Sequence, residues 1–266
     1  MIFQMNHFPA GWLQPNWPAP HRVNAVMTNR ESGVSAAPWD SMNLGDHVGD
    51  APADVQANRD HLARLLDRRP VFLKQVHGVT AVNLSRDCPD GWIADACWTQ
   101  DPQLACTIMV ADCLPVLLCD ASGQWVAAAH AGWRGLAGTH GQGVLEALLS
   151  DLSRAGCDVS NVLAWLGPCI GPDAFEVGAD VLHAFDDGSA EIRSLFEAQS
   201  NGKFKANLAG LARLRLQALG LSSIYGNDGA PVWCTASQPQ FFFSHRRDSR
   251  TLGQSGRMAA CIWLGA

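Results

Sequence analysis

The run Val110–Gly135, VADCLPVLLCDASGQWVAAAHAGWRG, constrains this chain more than any other stretch. Two strand-like apolar segments, Pro115–Cys119 and Trp125–Ala129, flank Ala121-Ser122-Gly123, whose small residues are a turn signal. A third apolar segment, Ala105–Val110, leads into Cys113. Two strands joined by a short turn fold back on each other. Cys113, ahead of the first strand, and His130, after the second, are therefore expected side by side although 17 positions separate them. A soft thiolate beside an imidazole is either a metal site or a nucleophile–base pair.

A third residue stands where a strand hands over to a loop: His77, in KQVHG (Lys74–Gly78). His77, Cys113 and His130 make a first shell for zinc with a fourth position left open, and the same donors suit copper. The sequence contains no CxxC and no HExxH, so spacing alone does not decide. Each residue also has a plainer reading. A cysteine among apolar neighbours is commonly core, and a histidine at a strand end is commonly just hydrogen-bonded. Asp112 and Pro115 place Cys113 at a strand edge, while Gly132 and Gly135 let backbone approach a ligand beside His130.

Composition narrows the function classes. A net charge of −6 argues against nucleic acid or an anionic membrane as partner, since both need a basic footprint. The basic cluster His245-Arg246-Arg247 is too short to change that. No apolar run approaches the roughly 18–20 residues that span a bilayer. The first twenty residues show neither the basic start nor the apolar core of a signal peptide. Nine cysteines, an odd number and several of them inside apolar runs, favour a reduced, cytoplasmic chain.

Along the chain, residues 1–22 read as a proline-rich irregular lead-in. Strands are expected at Val23–Thr28, Val71–Val76 (continued by or paired with Ala81–Leu84), Val162–Leu166, Ser223–Tyr225, Val232–Cys234, Gln240–Ser244 and Met258–Leu264, besides the central ones. Helices are expected at about Asp54–Asp67, with Pro52 in its first turn, at Thr139–Ala155 and at Leu208–Leu219. Residues 179–198 suggest one or two short helices, and 199–206 a polar loop. Strands outnumber helices without a regular βαβ alternation, so an α+β fold with mixed sheets is favoured, in a single domain covering residues 1–266.

Other polar residues are candidates for substrate contact. Arg30 and Asn43 lie in glycine-containing loops, Gln75 precedes His77 by two, and Arg134 follows His130 by four. Arg246, Arg247 and Arg257 crowd the C-terminal segment. Singly, each arginine reads as solvated surface; together they suggest a pocket for phosphate or carboxylate. Glu176 is either a helix-flanking charge or an acid/base carboxylate.

These residues also carry a resemblance. TNRESGVS (28–35), NLGDHVGD (43–50), NR (58–59), KQVHG, ADCLPVLLCD, HAGWRGL, LGPCIGPDAFEVG (166–178), FFSHRRD (242–248) and GRMA occur in that order. In this the chain closely resembles the bacterial laccase-domain proteins, variously called multicopper polyphenol oxidase, purine nucleoside phosphorylase and peptidoglycan editing factor. The resemblance implies a four-layer α/β/β/α fold and a metal, mostly zinc, on His77, Cys113 and His130. It implies small-molecule chemistry by a monomer or homodimer: phosphorolysis of adenosine, inosine and methylthioadenosine, and deamination of adenosine. Two alternatives come with it, an amidase that removes serine from a UDP-muramoyl precursor and a copper-dependent polyphenol oxidase. The chain departs from the family pattern at Asn29, Ser32, Asn207, His245 and Ser255, and none of these is a proposed ligand. With nine scattered histidines and no His-x-His pair, the residues argue against a multicopper centre.

Overall fold

The strand Leu104–Val110 is buried at all seven positions, and its alternate side chains enter two different cores. The same holds for Met258–Leu264. Side chains of a strand alternate between the faces of its sheet, so a strand with two apolar faces must be an inner layer. That condition sets the architecture of this computed structural model, which describes residues 8–265.

In chain order the elements are β1 (Val23–Met27), α1 (Pro52–Leu66), β2 (Arg69–Phe72), β3 (Ala81–Asn83), β4 (Ala96–Thr99), β5 (Leu104–Val110), β6 (Leu114–Asp120), β7 (Val126–Ala131), α2 (Trp133–Ala137), α3 (Val144–Arg154), β8 (Val162–Leu166), β9 (Glu176–Val177), α4 (Ala179–Phe185), α5 (Ala190–Arg193), β10 (Phe196–Ala198), β11 (Phe204–Ala206), α6 (Leu208–Ala218), β12 (Ser223–Gly226), α7 (His245–Leu252) and β13 (Met258–Leu264). One mixed sheet has the order β1-β13-β5-β2, and a second has the order β12-β8-β6-β7-β4-β3. They pack face to face through Ile108, Leu117, Ala128, Trp165, Ala260 and their neighbours. Helix α1 covers the outer face of the first sheet through Leu62 and Leu66. Helices α3, α4 and α6 cover the second, with the small sheet β10-β11-β9 over the same core. The result is the expected α+β fold in four layers, α/β/β/α. Among the described residues no helix is long and apolar enough to cross a membrane.

The strands β1, β8, β12 and β13 and the helices α1 and α6 fall where the sequence places them. Other expectations need correction. The strand at Val71–Val76 stops at Phe72, and β3 neither continues nor pairs with it: β2 pairs with β5 in the first sheet, β3 with β4 in the second. The helix expected from Thr139 starts at Val144, after the separate α2. A Cβ on Gly138 would sit 2.0 Å from Gln142 O, so the chain turns there instead of coiling. Pro231–Trp233 forms a 3-10 turn, Gln240–Ser244 forms no strand, and the arginine-rich segment is helix α7, capped by the Ser244 hydroxyl accepting from Arg247 N–H. Residues 199–206, expected as loop, contain β11. Of the irregular lead-in, residues 1–7 lie outside the described residues; Leu13 exchanges two backbone hydrogen bonds with Met27.

Candidate metal centre

The two loops that carry His77 and Cys113 are both crossings from one sheet to the other. Residues 73–80 leave the end of β2 for β3, and residues 111–113 leave the end of β5 for β6. Because β2 and β5 are parallel, both crossings occur at the same edge. The β6–β7 ladder then delivers His130: Pro115 pairs with His130 and Leu114 with Ala131, which brings Cys113 alongside Gly132. The cysteine–histidine neighbourhood expected from the hairpin is therefore present.

Backbone conformation aims the donors. His77 has φ 61° and Asp112 has φ 85°, a region costly for residues other than glycine and held only by surrounding contacts. At Asp112 those contacts are plain. Its buried carboxylate accepts from the Thr235 hydroxyl at 2.6 Å, the Ser244 hydroxyl at 3.0 Å and the Arg246 N–H at 2.6 Å. The C-terminal segment thus fastens the residue before Cys113. At the other loop, Gln75 exchanges two hydrogen bonds of 2.8 Å with the Met109 backbone.

Asp95, which the sequence reading did not single out, joins the parts. Its fully buried carboxylate accepts from the backbone N–H of Val76 (3.1 Å), His77 (2.9 Å) and Gly78 (2.7 Å), and lies 2.8 Å from His130 Nδ1. One anion therefore folds the His77 loop and orients the His130 ring. A proton on Nδ1 leaves the Nε2 lone pair of His130 free to ligate a metal beside Cys113. Sequence offered one clue: an acid inside the apolar run IADACWT must find partners once buried.

The ligand atoms of His77, Cys113 and His130 all lie within 4.8 Å of one another, with Cys113 Sγ 3.6 Å from His77 Nε2. The two rings meet nearly edge to face at a centroid distance of 4.8 Å. A Cβ on Gly132 would approach His77 Cδ2 to 2.8 Å and Cys113 Sγ to 3.1 Å, so the glycine keeps the cluster open. Burial pushes the Cys113 thiol up, but the His130 charge and hydrogen bonds from both histidines bring it down to about 6. Burial likewise pulls His130 down, and the Cys113 thiolate with Asp95 carries it up to about 9.

The donor set fits a metal. Zinc bonds of about 2.3 Å to sulfur and 2.1 Å to nitrogen, at a tetrahedral angle, put the two donors about 3.6 Å apart. A carboxylate on the far nitrogen of a ligand histidine is the usual outer support of such a site.

The remaining candidates are distributed differently. Arg30 donates to the carbonyls of Asp40 and Pro239, pairs with the Asp40 carboxylate at 3.3 Å and stacks on Phe243. Asn43 is buried, accepting from Gly45 and Arg257 N–H and donating to Asp50. Arg247 binds the carbonyls of Thr235, Ala236 and Phe242 and pairs with Asp248. Glu176 is solvent-facing and pairs with Lys203 at 2.7 Å. Arg134, two residues beyond Gly132 in the chain, is exposed, with its guanidinium over the Trp133 ring.

A four-layer α/β/β/α sandwich with a two-histidine, one-cysteine cluster at the shared edge of its sheets defines the class of this protein. The chain belongs to the multi-copper polyphenol oxidoreductase laccase family, whose sequence model matches residues 24–265. It is similar to a Pseudomonas aeruginosa protein named purine nucleoside phosphorylase PA4543, 51% identical over 95% of this chain and 98% of the relative. Purine nucleoside phosphorylase YfiH of Escherichia coli is 45% identical over the same shares. Among solved structures, Neisseria meningitidis protein NMB0706 superposes with a TM-score of 0.85 at 42% identity, covering 96% of this chain and 100% of that one. YlmD from Geobacillus stearothermophilus superposes with a TM-score of 0.84 at 30% identity, covering 97% and 98%.

Proposed function

We propose that this chain is a zinc-dependent enzyme of purine nucleosides, cleaving adenosine, inosine or methylthioadenosine with phosphate and deaminating adenosine. The observation that carries the reading is the His77–Cys113–His130 cluster oriented by Asp95, in a chain whose relatives bear purine nucleoside phosphorylase names. His77, Cys113 and His130 would hold the ion, and zinc bound there supplies Lewis acidity at an open coordination position. The protein supplies the rest. Asp95 keeps the proton on Nδ1 of His130, so the Nε2 lone pair stays free to ligate, and Gly132 leaves room beside the thiolate. Val76, Val79, Trp92 and Ile93 are exposed apolar side chains on and beside the His77 loop, and they offer a face to a purine ring. Arg134 stands at the rim for the anionic part of the substrate. Among the described residues this is one group of three donors, without the paired histidines of a multinuclear copper centre. That favours nucleoside chemistry over phenol oxidation.

The test is to load the purified chain with zinc, supply adenosine and phosphate, and separate the products. Adenine with ribose 1-phosphate marks phosphorolysis, and inosine with ammonia marks deamination. Cys113→Ala is expected to remove both. Full turnover by zinc-stripped protein or by that variant would sink the reading. A second reading rests on the closeness of Cys113 Sγ to two imidazoles, which also suits a nucleophile with its base. It predicts an acyl-thioester on Cys113 after exposure to UDP-muramoyl-serine, detectable as an added mass on the intact chain.

A further inference from the structure

We propose that the cavity between the 43–50 loop, helix α1 and the end of β2 is a binding site for a phosphoryl group, with Arg59 and Lys74 as its cations and His47 as a neutral hydrogen-bonding neighbour. The cavity has a volume of about 370 Å³, and its lining includes Asp46, His47, Arg59, Phe72, Lys74 and Gln75. Two cations, Arg59 and Lys74, face one carboxylate, so the balance favours an anion.

Arg59 is held for this purpose. Its guanidinium lies 4.1 Å above the Phe72 ring, and Nε donates to Leu44 O at 3.0 Å. Stacked and tethered, the fork keeps a fixed direction, which is the property that makes arginine suited to phosphate. Its carboxylate partner, Asp46 at 3.3 Å, is itself 62% exposed. The pair is open to water on the carboxylate side alone, so an entering anion can displace Asp46 while the guanidinium, 12% exposed, keeps its place. Partial burial and the charges of Arg257 and Arg59 hold His47 below the ordinary imidazole value, against Asp46, which raises it.

The cavity adjoins the metal centre. Gln75 lines it and is fixed to the Met109 backbone two residues before His77. Arg257 stands against the 43–50 loop, its backbone N–H donating to Asn43 Oδ1 at 2.8 Å. A phosphoryl group here would occupy one end of the 74–77 segment while a nucleoside occupies the other. The identity of the phosphoryl group as a co-substrate rests on the nucleoside reading; its binding does not. Of the arginines that the sequence suggested together for an anion pocket, Arg30 is already engaged by Asp40 and Pro239.

The experiment is calorimetric titration of the full chain with orthophosphate and, separately, with adenosine 5′-monophosphate, at constant ionic strength. Saturable binding is expected, weakened about tenfold by Lys74→Ala, the loss of one charge-assisted contact. Asp46→Asn removes the competing carboxylate and is expected to tighten binding several-fold, a gain that misfolding would not produce. Orthophosphate as the tighter ligand identifies a free co-substrate, and the monophosphate as the tighter ligand identifies an esterified one; both support the site. No saturable binding of either probe, or binding indifferent to both substitutions, overturns it. Phosphate binding without nucleoside turnover would remove the nucleoside reading and leave the cavity assigned. Turnover with phosphate binding indifferent to Lys74→Ala and Asp46→Asn would remove the cavity alone.

Discussion

Asp95 does more for the cluster than any ligand does for another. It closes the turn that presents His77 and sets the ring of His130 at once. Asp95→Asn keeps the shape but can no longer accept from every partner. Zinc affinity is expected to fall about 10–100-fold, measured against a chromogenic chelator; unchanged affinity would refute the positioning role. The cysteine makes a second prediction, for metal-free protein. The folded Cys113 pKa of about 6 lies below that of an ordinary thiol, so its thiolate persists as pH falls from the alkaline range and is lost through about 6. His130, raised to about 9, stays protonated up to that point and is neutral above it. The ion pair thus spans the window from about 6 to 9. Thiolate ultraviolet absorbance at pH 7 should be present in the wild type and absent in Cys113→Ala. Burial pushes Cys106, Cys119, Cys169 and Cys261 up, so those thiols stay silent there. The three candidate donors were legible in sequence because apolar runs frame them, although His77 lies five residues beyond the end of β2 and His130 lies within β7. Asp95 was not, because its partners at 76–78 and 130 come together only on folding.

At the scale of elements, legibility followed length and contrast. Helix α3 shows five buried apolar residues on one face, Val144, Leu145, Leu148, Leu149 and Leu152, and its stripe can be read directly. The two- and three-residue strands of the small sheet are too short for any alternation to show. Helix α7 carries one buried residue, Asp248, among charged ones, so no apolar stripe announces it. It forms because Asp112 and Ser244 hold its first turn. Asn207 departs from the family pattern without structural consequence for α6: its side chain accepts from Gly210 N–H and caps the helix. Leu148→Ala, in the core beneath α3, is expected to cost about 2–5 kcal/mol in denaturant unfolding. Its zinc affinity should be unchanged, since the helix lies on the outer face of the second sheet.

For the molecule as a whole, the class of fold was readable and the partition of strands between sheets was not. Adjacent strands in sequence usually neighbour each other in space, yet β2 and β3 part company, as do β5 and β6. Local sequence says nothing of that separation: β5 and β6 are both apolar and buried at every position, and β3 is only three residues long. The separation has a mechanical consequence. His77 and Cys113 ride on the two spans that bridge the gap, so the gap's width is transmitted to the distance between donors. A metal held there would act as a calliper on the interior. Ala128 and Ala260 are small residues between the sheets, and enlarging either to Val should wedge the layers apart at a cost of about 1–3 kcal/mol. Zinc affinity should fall with them, although neither residue touches the ion. Ala212→Val, on α6 in the outer core, should cost stability alone. Equal affinity in all three variants would show that the spans absorb the strain. Otherwise, the tightness with which the protein would grip an ion at its edge is set by the width of its middle.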